Sequence, residues 1–254
     1  MKIDLHCHTI FSDGIDTPER MVARAKAVGL DGIAITDHDT IAGWKRAIDA
    51  GKRLGCVVIP GKEMKIRNGK TVVGELLALF INEDIKINQV VALEEIIDKI
   101  REQDGVAAVP HPFDWFRKSS LIDIIEHDDI KIDAIESING RNRGVSNAKG
   151  IEYAQKNKIP QIAGSDAHCM EEVGMAYTFC EINKKSGNNS GNSNDDDGKK
   201  NKNKPYRFDC VDESEVESFR KAILKGKSKV IGMQRGFLSI FATRATCWVI
   251  RLGR

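Results

Sequence analysis

The chain has 254 residues, 41% hydrophobic and 30% charged, enough apolar material for one large α/β domain or two small ones. Its 39 Lys and Arg nearly balance 37 Asp and Glu, and the net charge of +2 gives no overall basic field to point to nucleic acid. No uninterrupted apolar run reaches the roughly 18 residues of a membrane span.

From its first residues the chain alternates strand and helix patterns. Residues 2–7 read as a strand. Residues 18–28 read as a helix, with Thr17 as N-cap, Pro18 at the first helical position, Glu19 in the first turn and Gly29 just past the end. Further strand patterns at 32–36, 56–60, 75–81, 106–109, 133–138 and 161–163 are separated by helical patterns at 41–54, 88–103, 121–127 and 145–157. About seven strand–helix units predict a parallel sheet rolled into a closed or nearly closed barrel. Strand-like stretches at 176–182 and 206–211 then flank residues 183–205. The run SGNNSGNSNDDDGKKNKNKP (186–205) is low in complexity and supports no core, so a disordered surface loop in a hairpin-like connection is expected. A helix follows at 212–224, capped by Gly226. The apolar tail 235–254, with Arg244, Arg251 and Arg254 on roughly one helical side, reads as a last helix covering the barrel or a dimer contact, ahead of an interfacial helix. The expected organisation is a barrel over 1–182, a loop over 183–205 and a C-terminal extension over 206–254 packed on the barrel.

The six cysteines show neither CxxC pairs nor dense spacing, which favours free thiols in a reducing compartment. MKIDLHCH enters a strand at once and leaves no room for a signal peptide, so the expected setting is the cytoplasm.

Five of the six histidines stand in short clusters whose other members are Asp and Glu. His6, His8 and Asp13 lie in DLHCHTIFSDG, His38 with Asp37 and Asp39 in TDHD, Glu63 in GKE, His111 in PHP, and Asp166 and His168 in GSDAH. Imidazole and carboxylate together are what divalent transition metals bind, and only the fold can gather donors so far apart in sequence. Each cluster lies at or just beyond the C-terminal end of a predicted strand, the end at which barrels build their sites. Glu75 differs, standing at the start of its predicted strand. Alternation puts His6 and His8 on one face and Cys7 on the other, where it packs. His127, in IEHDDIK, fits no cluster and is expected at the surface.

In this order and spacing the motifs DLHCHTIFSDG, ITDHDTIAG, GKE, PHP and GSDAH resemble the PHP family, the polymerase and histidinol phosphatase metal-dependent phosphoesterases, over most of residues 1–182. Residues 144–232 resemble the C-terminal extension of its small stand-alone members. The resemblance implies a distorted (β/α)7 TIM-like barrel holding two or three divalent ions, Mn2+, Fe2+ or Zn2+, at the C-terminal strand ends. It implies a first metal on His6, His8, Glu63 and Asp166. A second shares Glu63 and adds His111 and Glu75, and a third takes Asp13, His38 and His168. Many relatives carry His in place of Glu75; a third carboxylate there favours manganese or iron over zinc. Asp13 rather than His points away from the histidinol-phosphatase type, and the short stretch from Glu63 to His111 speaks against a substrate-capping insertion. Asp37 and Asp39 are then expected to orient ligating histidines. Glu136 is expected to hold a metal-bound water or the second ring nitrogen of a ligand, with plain structure as the alternative.

Paired cations suit phosphate-ester hydrolysis, because they supply hydroxide near neutral pH and clamp the oxygens of an in-line displacement. With no GxSxG or Cys–His pair to favour a covalent route, the expected reaction is direct attack by metal-bound hydroxide, held by Glu63, Asp166 and His111, on a small phosphorylated substrate. Arg141, Arg143, Arg117 and Lys118 are either phosphate contacts or solvated loop residues. Trp115 and Phe116 are expected to pack beneath a loop rather than stack on a base or sugar. An exonuclease acting on single-stranded nucleic acid ends is a second reading, opposed by the balanced charge and the lack of an aromatic–basic stripe. A non-catalytic metal-binding accessory module is the third.

Overall fold

Thr17 caps the first helix as the sequence requires: its hydroxyl accepts the Arg20 N–H at 3.5 Å, Pro18 opens the helix, and Gly29 at φ +80° lets the chain leave it. A computed structural model describes residues 1–86, 92–114, 120–182 and 213–232. In chain order the elements are β1 (Lys2–Asp4), α1 (Pro18–Ala27), β2 (Gly32–Ile35), α2 (Trp44–Leu54), β3 (Val57–Asn68), β4 (Thr71–Leu79), α3 (Leu93–Arg101) and β5 (Val106–Val109). There follow α4 (Ile122–Asp128), β6 (Ala134–Asn139), α5 (Gly144–Asn157), β7 (Gln161–Gly164), β8 (Ala176–Phe179), α6 (Glu213–Leu224) and β9 (Lys229–Gly232).

Among the described residues one sheet runs in the order β7-β6-β5-β4-β3-β2-β1-β8-β9. β1, β2 and β3 pair in parallel, as do β5, β6 and β7, which is what strand–helix–strand units dictate. The wholly parallel sheet expected from the sequence is corrected at β4, which pairs antiparallel with both β3 and β5. The cause is local: Gly69 (φ +59°) and Lys70 make a tight hairpin turn between the paired residues Asn68 and Thr71, which leaves no room for a crossover helix. β3 therefore continues past Pro60 to Asn68, β4 starts at Thr71, and Glu75 lies within its strand rather than at its start. β8 is antiparallel to β1 and takes β9 as its other partner. The strand expected at 206–211, the loop 183–205, the tail 235–254 and Trp115, Phe116, Arg117 and Lys118 lie outside the described residues.

The sheet curls into a nearly closed barrel. At one rim the Asp166 N–H donates to His6 O at 2.8 Å and the His8 N–H to Ala167 O at 2.8 Å, stitching the segment after β1 to the segment after β7. Below that rim, Thr178 of β8 accepts the Ala163 N–H at 2.8 Å and donates back to Ala163 O at 3.0 Å.

Strand alternation sorts the apolar side chains into two clusters. One holds Ile3, Ala34, Val57, Ile59, Leu77, Leu79, Ala108 and Ala134 together with Val216, Phe219 and Ile223 of α6. The other joins the opposite strand faces, including Cys7, Ile33, Ile35, Met64 and Leu76, to helices α1 to α5. Cys7 thus packs, on the face away from the histidines. Arg220 of α6 lies 3.9 Å from Asp104, just before β5 begins, so α6 covers the barrel end opposite the donor-bearing rim. Trp44, buried at the start of α2, donates its indole N–H to Gly61 O at 2.8 Å and fastens β3 two residues before Glu63. No helix among the described residues is long and apolar enough to cross a membrane.

Phe219 is fully buried against the barrel strands. Phe219→Ala is expected to cost about 3–5 kcal/mol of folding stability, read as a lower urea midpoint, while leaving cation affinity at the rim unchanged.

Candidate metal centre

The rim brings six separate chain segments together. The His38 and Glu63 backbones form a parallel bridge past the end of β2, with the Asp39 N–H donating to Glu63 O at 3.0 Å. His111 (φ +30°), Asp166 (φ +55°) and Asp39 (φ +52°) adopt left-handed backbone, which costs a non-glycine residue about 1–3 kcal/mol and persists only where surrounding contacts impose it. Gly164 lies against the wall behind His6: a Cβ there would stand 2.4 Å from His6 Cβ and 2.9 Å from Glu136 Oε1.

The donor atoms converge in three overlapping sets. His6 Nε2 and His8 Nε2 are 3.1 Å apart, and each faces Glu63 Oε2, at 3.3 and 3.2 Å. Asp166 Oδ1 is 3.6 Å from His6 Nε2 and 3.3 Å from His8 Nε2. A tetrahedral site with bonds of about 2.0–2.1 Å has edges of about 3.3–3.4 Å, close to the spacing of His6 Nε2, His8 Nε2 and Glu63 Oε2, while Asp166 also groups with His6 and His111. Glu63 Oε1 turns the other way, 2.9 Å from His111 Nε2, which is also 3.6 Å from Glu75 Oε2. The third set gathers on Asp13: His168 Nε2 at 3.3 Å, His38 Nε2 at 3.7 Å and, unforeseen from the sequence, His8 Nδ1 at 3.7 Å. His38 also reaches back through Nδ1, 3.3 Å from Glu63 and 3.8 Å from Glu75. His8 Nδ1, His38 Nδ1 and Glu63 Oε2 are buried and make no hydrogen bond. Buried lone pairs crowded this closely fit divalent cations.

Electrostatics divide the imidazoles. Burial pulls His6 and His8 down, but carboxylates outweigh it: Glu136, Glu63 and Asp166 hold His6 well above its usual value, and Asp166 with Glu63 holds His8 at about 9. Burial wins at His38, pushed down to about 3, and at His168, which His8 and Arg141 lower further. Burial alone would raise Glu63 and Asp13, yet both are held well below the usual carboxylate range, Glu63 by His6, His111 and His8 and Asp13 by His168, His8 and His38.

The surroundings correct some expectations. Asp37 orients no imidazole; it accepts Thr9 N–H (2.7 Å), Thr9 Oγ1 (2.7 Å) and Ser12 Oγ (2.6 Å), and so ties down the loop that presents Asp13. Asp39 accepts the Lys65 N–H of β3 at 3.0 Å. Glu136 does meet a ring nitrogen, His6 Nδ1 at 3.0 Å. Arg141 stands beside the third set, its Nε 3.7 Å from Glu172 Oε1, while Glu172 Oε2 accepts the His168 N–H at 2.8 Å. Arg143 takes the N-cap position of α5. His127 is 86% exposed and pairs with Asp128, away from the rim.

Sequence reasoning missed Glu172 and Asp4. Asp4, fully buried, accepts Ser165 N–H at 2.8 Å and Gly174 N–H at 2.9 Å, and burial pushes its pKa up to about 6. Its place as the first acid of DLHCH was the available signal.

The family models called PHP domain and PHP-associated match residues 4–120 and 144–188. Uncharacterized protein MJ0417 of Methanocaldococcus jannaschii is 33% identical over 189 residues, 72% of each chain. The 5'-3' exoribonuclease of Haemophilus influenzae is 35% identical over 124 residues, 44% of this chain and 43% of that one. A two-domain protein from Bacteroides vulgatus, solved as containing a predicted PHP-like metal-dependent phosphoesterase, matches with a TM-score of 0.62 at 18% identity, covering 91% of this chain and 64% of that one. That last likeness is one of fold. Barrel, donor sets and relatives together define the class, a metal-dependent phosphoester hydrolase. The chain belongs to the PHP family.

His8 gives a pH signature. Its folded pKa of about 9 lies above its ordinary 6.5, so in cation-free protein it adds stability that is fully present below about pH 6.5 and lost as pH rises through about 9. The urea midpoint in EDTA is expected to fall across that window. With Mn2+ it is expected to rise across the same window, because imidazoles must shed protons to bind a cation.

Proposed function

We propose that the chain hydrolyses a phosphate ester of a small phosphorylated molecule at this rim. The observation that carries the reading is Glu63, whose Oε2 faces His6, His8 and His38 while its Oε1 faces His111. His6, His8, Glu63 and Asp166 would hold a first divalent cation. Glu63, His111 and Glu75 would hold a second, and Asp13, His38 and His168 a third. Such cations lower the pKa of a water toward neutrality and draw charge from phosphate oxygens. Glu63, Asp166 and His111 would surround the position of the attacking water and keep it between the first two sets.

Arg141 would then meet the substrate. Its guanidinium is 12% exposed, steadied by the carboxylate of Glu172, and stands beside His168. A fixed guanidinium can hold two phosphate oxygens at once.

A nucleic-acid substrate is the second reading, favoured by the likeness to an exoribonuclease over 124 residues. The near-neutral charge of +2 gives no electrostatic track for a long strand, so the small substrate stands first.

Mn2+-dependent release of p-nitrophenol from p-nitrophenyl phosphate is the test. His8→Ala and Asp166→Asn are each expected to abolish it. Arg141→Ala is expected to raise KM by about tenfold or more with a smaller change in kcat, as loss of a charged hydrogen bond predicts. Progressive shortening of oligonucleotides with no release from small esters would favour the second reading, and tight Mn2+ binding with neither activity would leave an accessory module.

A further inference from the structure

Glu136 is 1% exposed on β6, beside the register shift between Glu136 and Ile138, and it touches donors from two of the proposed cation sets. Its Oε1 is 3.0 Å from His6 Nδ1. Its Oε2 accepts the His111 backbone N–H at 2.8 Å and Asn139 Nδ2 at 2.9 Å. The two contacts do different work. An acceptor at His6 Nδ1 keeps the proton on that nitrogen and leaves the Nε2 lone pair facing His8, Glu63 and Asp166. The acceptor at His111 N holds a residue between two prolines in left-handed backbone (φ +30°), the conformation from which its Nε2 reaches Glu63 at 2.9 Å.

We propose that Glu136 is a positioning residue that sets His6 and His111 with one carboxylate, and thereby fixes cation affinity at the first and second sets together. The proposal rests on the reading that those sets hold cations. What it requires is two acceptor oxygens, since every group around Glu136 is a donor: the His6 ring N–H, the His111 N–H and the Asn139 amide. Glutamine has one acceptor and one amide nitrogen. Whichever way it turned, an N–H would face an N–H, and one of the two histidines would lose its anchor. Gly164 leaves the space that lets Glu136 approach His6 here, since a Cβ at that position would stand 2.9 Å from Glu136 Oε1 and 2.4 Å from His6 Cβ.

The experiment is a Mn2+ titration of the full chain, followed by calorimetry and by the free Mn2+ signal in electron paramagnetic resonance. Wild type is expected to take at least two ions. Glu136→Gln, which keeps one acceptor, is expected to weaken at least one of the two tightest sites by about 10–100-fold, the range for losing an outer partner of a metal ligand, and Glu136→Ala, which removes both acceptors, to weaken both. Phe219→Ala, destabilised at the far end of the barrel, is the control for a merely structural effect and keeps wild-type affinities. Should Glu136→Gln fail to fold by circular dichroism, Glu136→Asp decides: its carboxylate is one methylene too short to span both partners, and it is expected to weaken at least one site by about tenfold. Glu136→Gln affinities within about twofold of wild type at both sites, wild-type behaviour of Glu136→Asp, or a Glu136→Ala protein weakened at one site alone would each overturn the proposal while leaving the cation reading intact. A wild type that binds no Mn2+ overturns both.

Discussion

Glu63 is a fully buried carboxylate with His6, His8, His38 and His111 within 3.3 Å of its oxygens, and Asp166 and Glu75 approach the same ring nitrogens of His8 and His111. Burying that much ionisable chemistry costs several kcal/mol per uncompensated charge. Protons alone compensate it poorly: the two rings that hold them in the cation-free protein, His6 and His8, present their Nε2 atoms to each other at 3.1 Å. Divalent cations remove the conflict, since one ion accepts several lone pairs and neutralises the carboxylates in the same step. Everything else at this rim follows from keeping those groups close enough to need one.

The fold does this with a small number of local devices. Parallel strands bring His38 and Glu63 to the same rim, and the hydrogen bonds between His6 and Asp166 and between His8 and Ala167 close the barrel at the level of the donors. The antiparallel β3–β4 hairpin then returns the chain, so that Glu75, well inside β4, comes back to the height of His111. Buried carboxylates that hold no proposed cation fasten the loops: Asp37 the Thr9–Ser12 turn, Asp4 the Ser165 and Gly174 amides, and Glu172 the His168 amide. Among the described residues the far end carries none of this chemistry and is filled by apolar residues of α6, so stability and reactivity occupy opposite ends of the barrel.

Much of this was legible in the chain. His and carboxylate pairs at strand ends announced the site because the side chains that bind cations are few, and barrel strands deliver their C-terminal residues to one mouth. Thr17 and Pro18 fixed the start of α1 through chemistry confined to one turn. The antiparallel β4 was missed although its signal was present: Asn68-Gly69-Lys70 carries a hairpin turn at Gly69–Lys70, and Met64 and Ile66 alternate with Lys65 and Arg67 well past Pro60. Reading the strand as finished at the proline hid both. The roles of Asp37 and Glu172 were not legible, because a carboxylate that accepts backbone N–H groups and one that faces an imidazole have the same letters around them. Only the path of the chain separates the two.

An anomalous difference map from crystals grown with Mn2+ tests the central claim most directly. The account predicts a peak bounded by His6 Nε2, His8 Nε2, Glu63 and Asp166, and a second one on the His111 side of Glu63. A map with no peak among these atoms, or with manganese held only elsewhere on the surface, would contradict it.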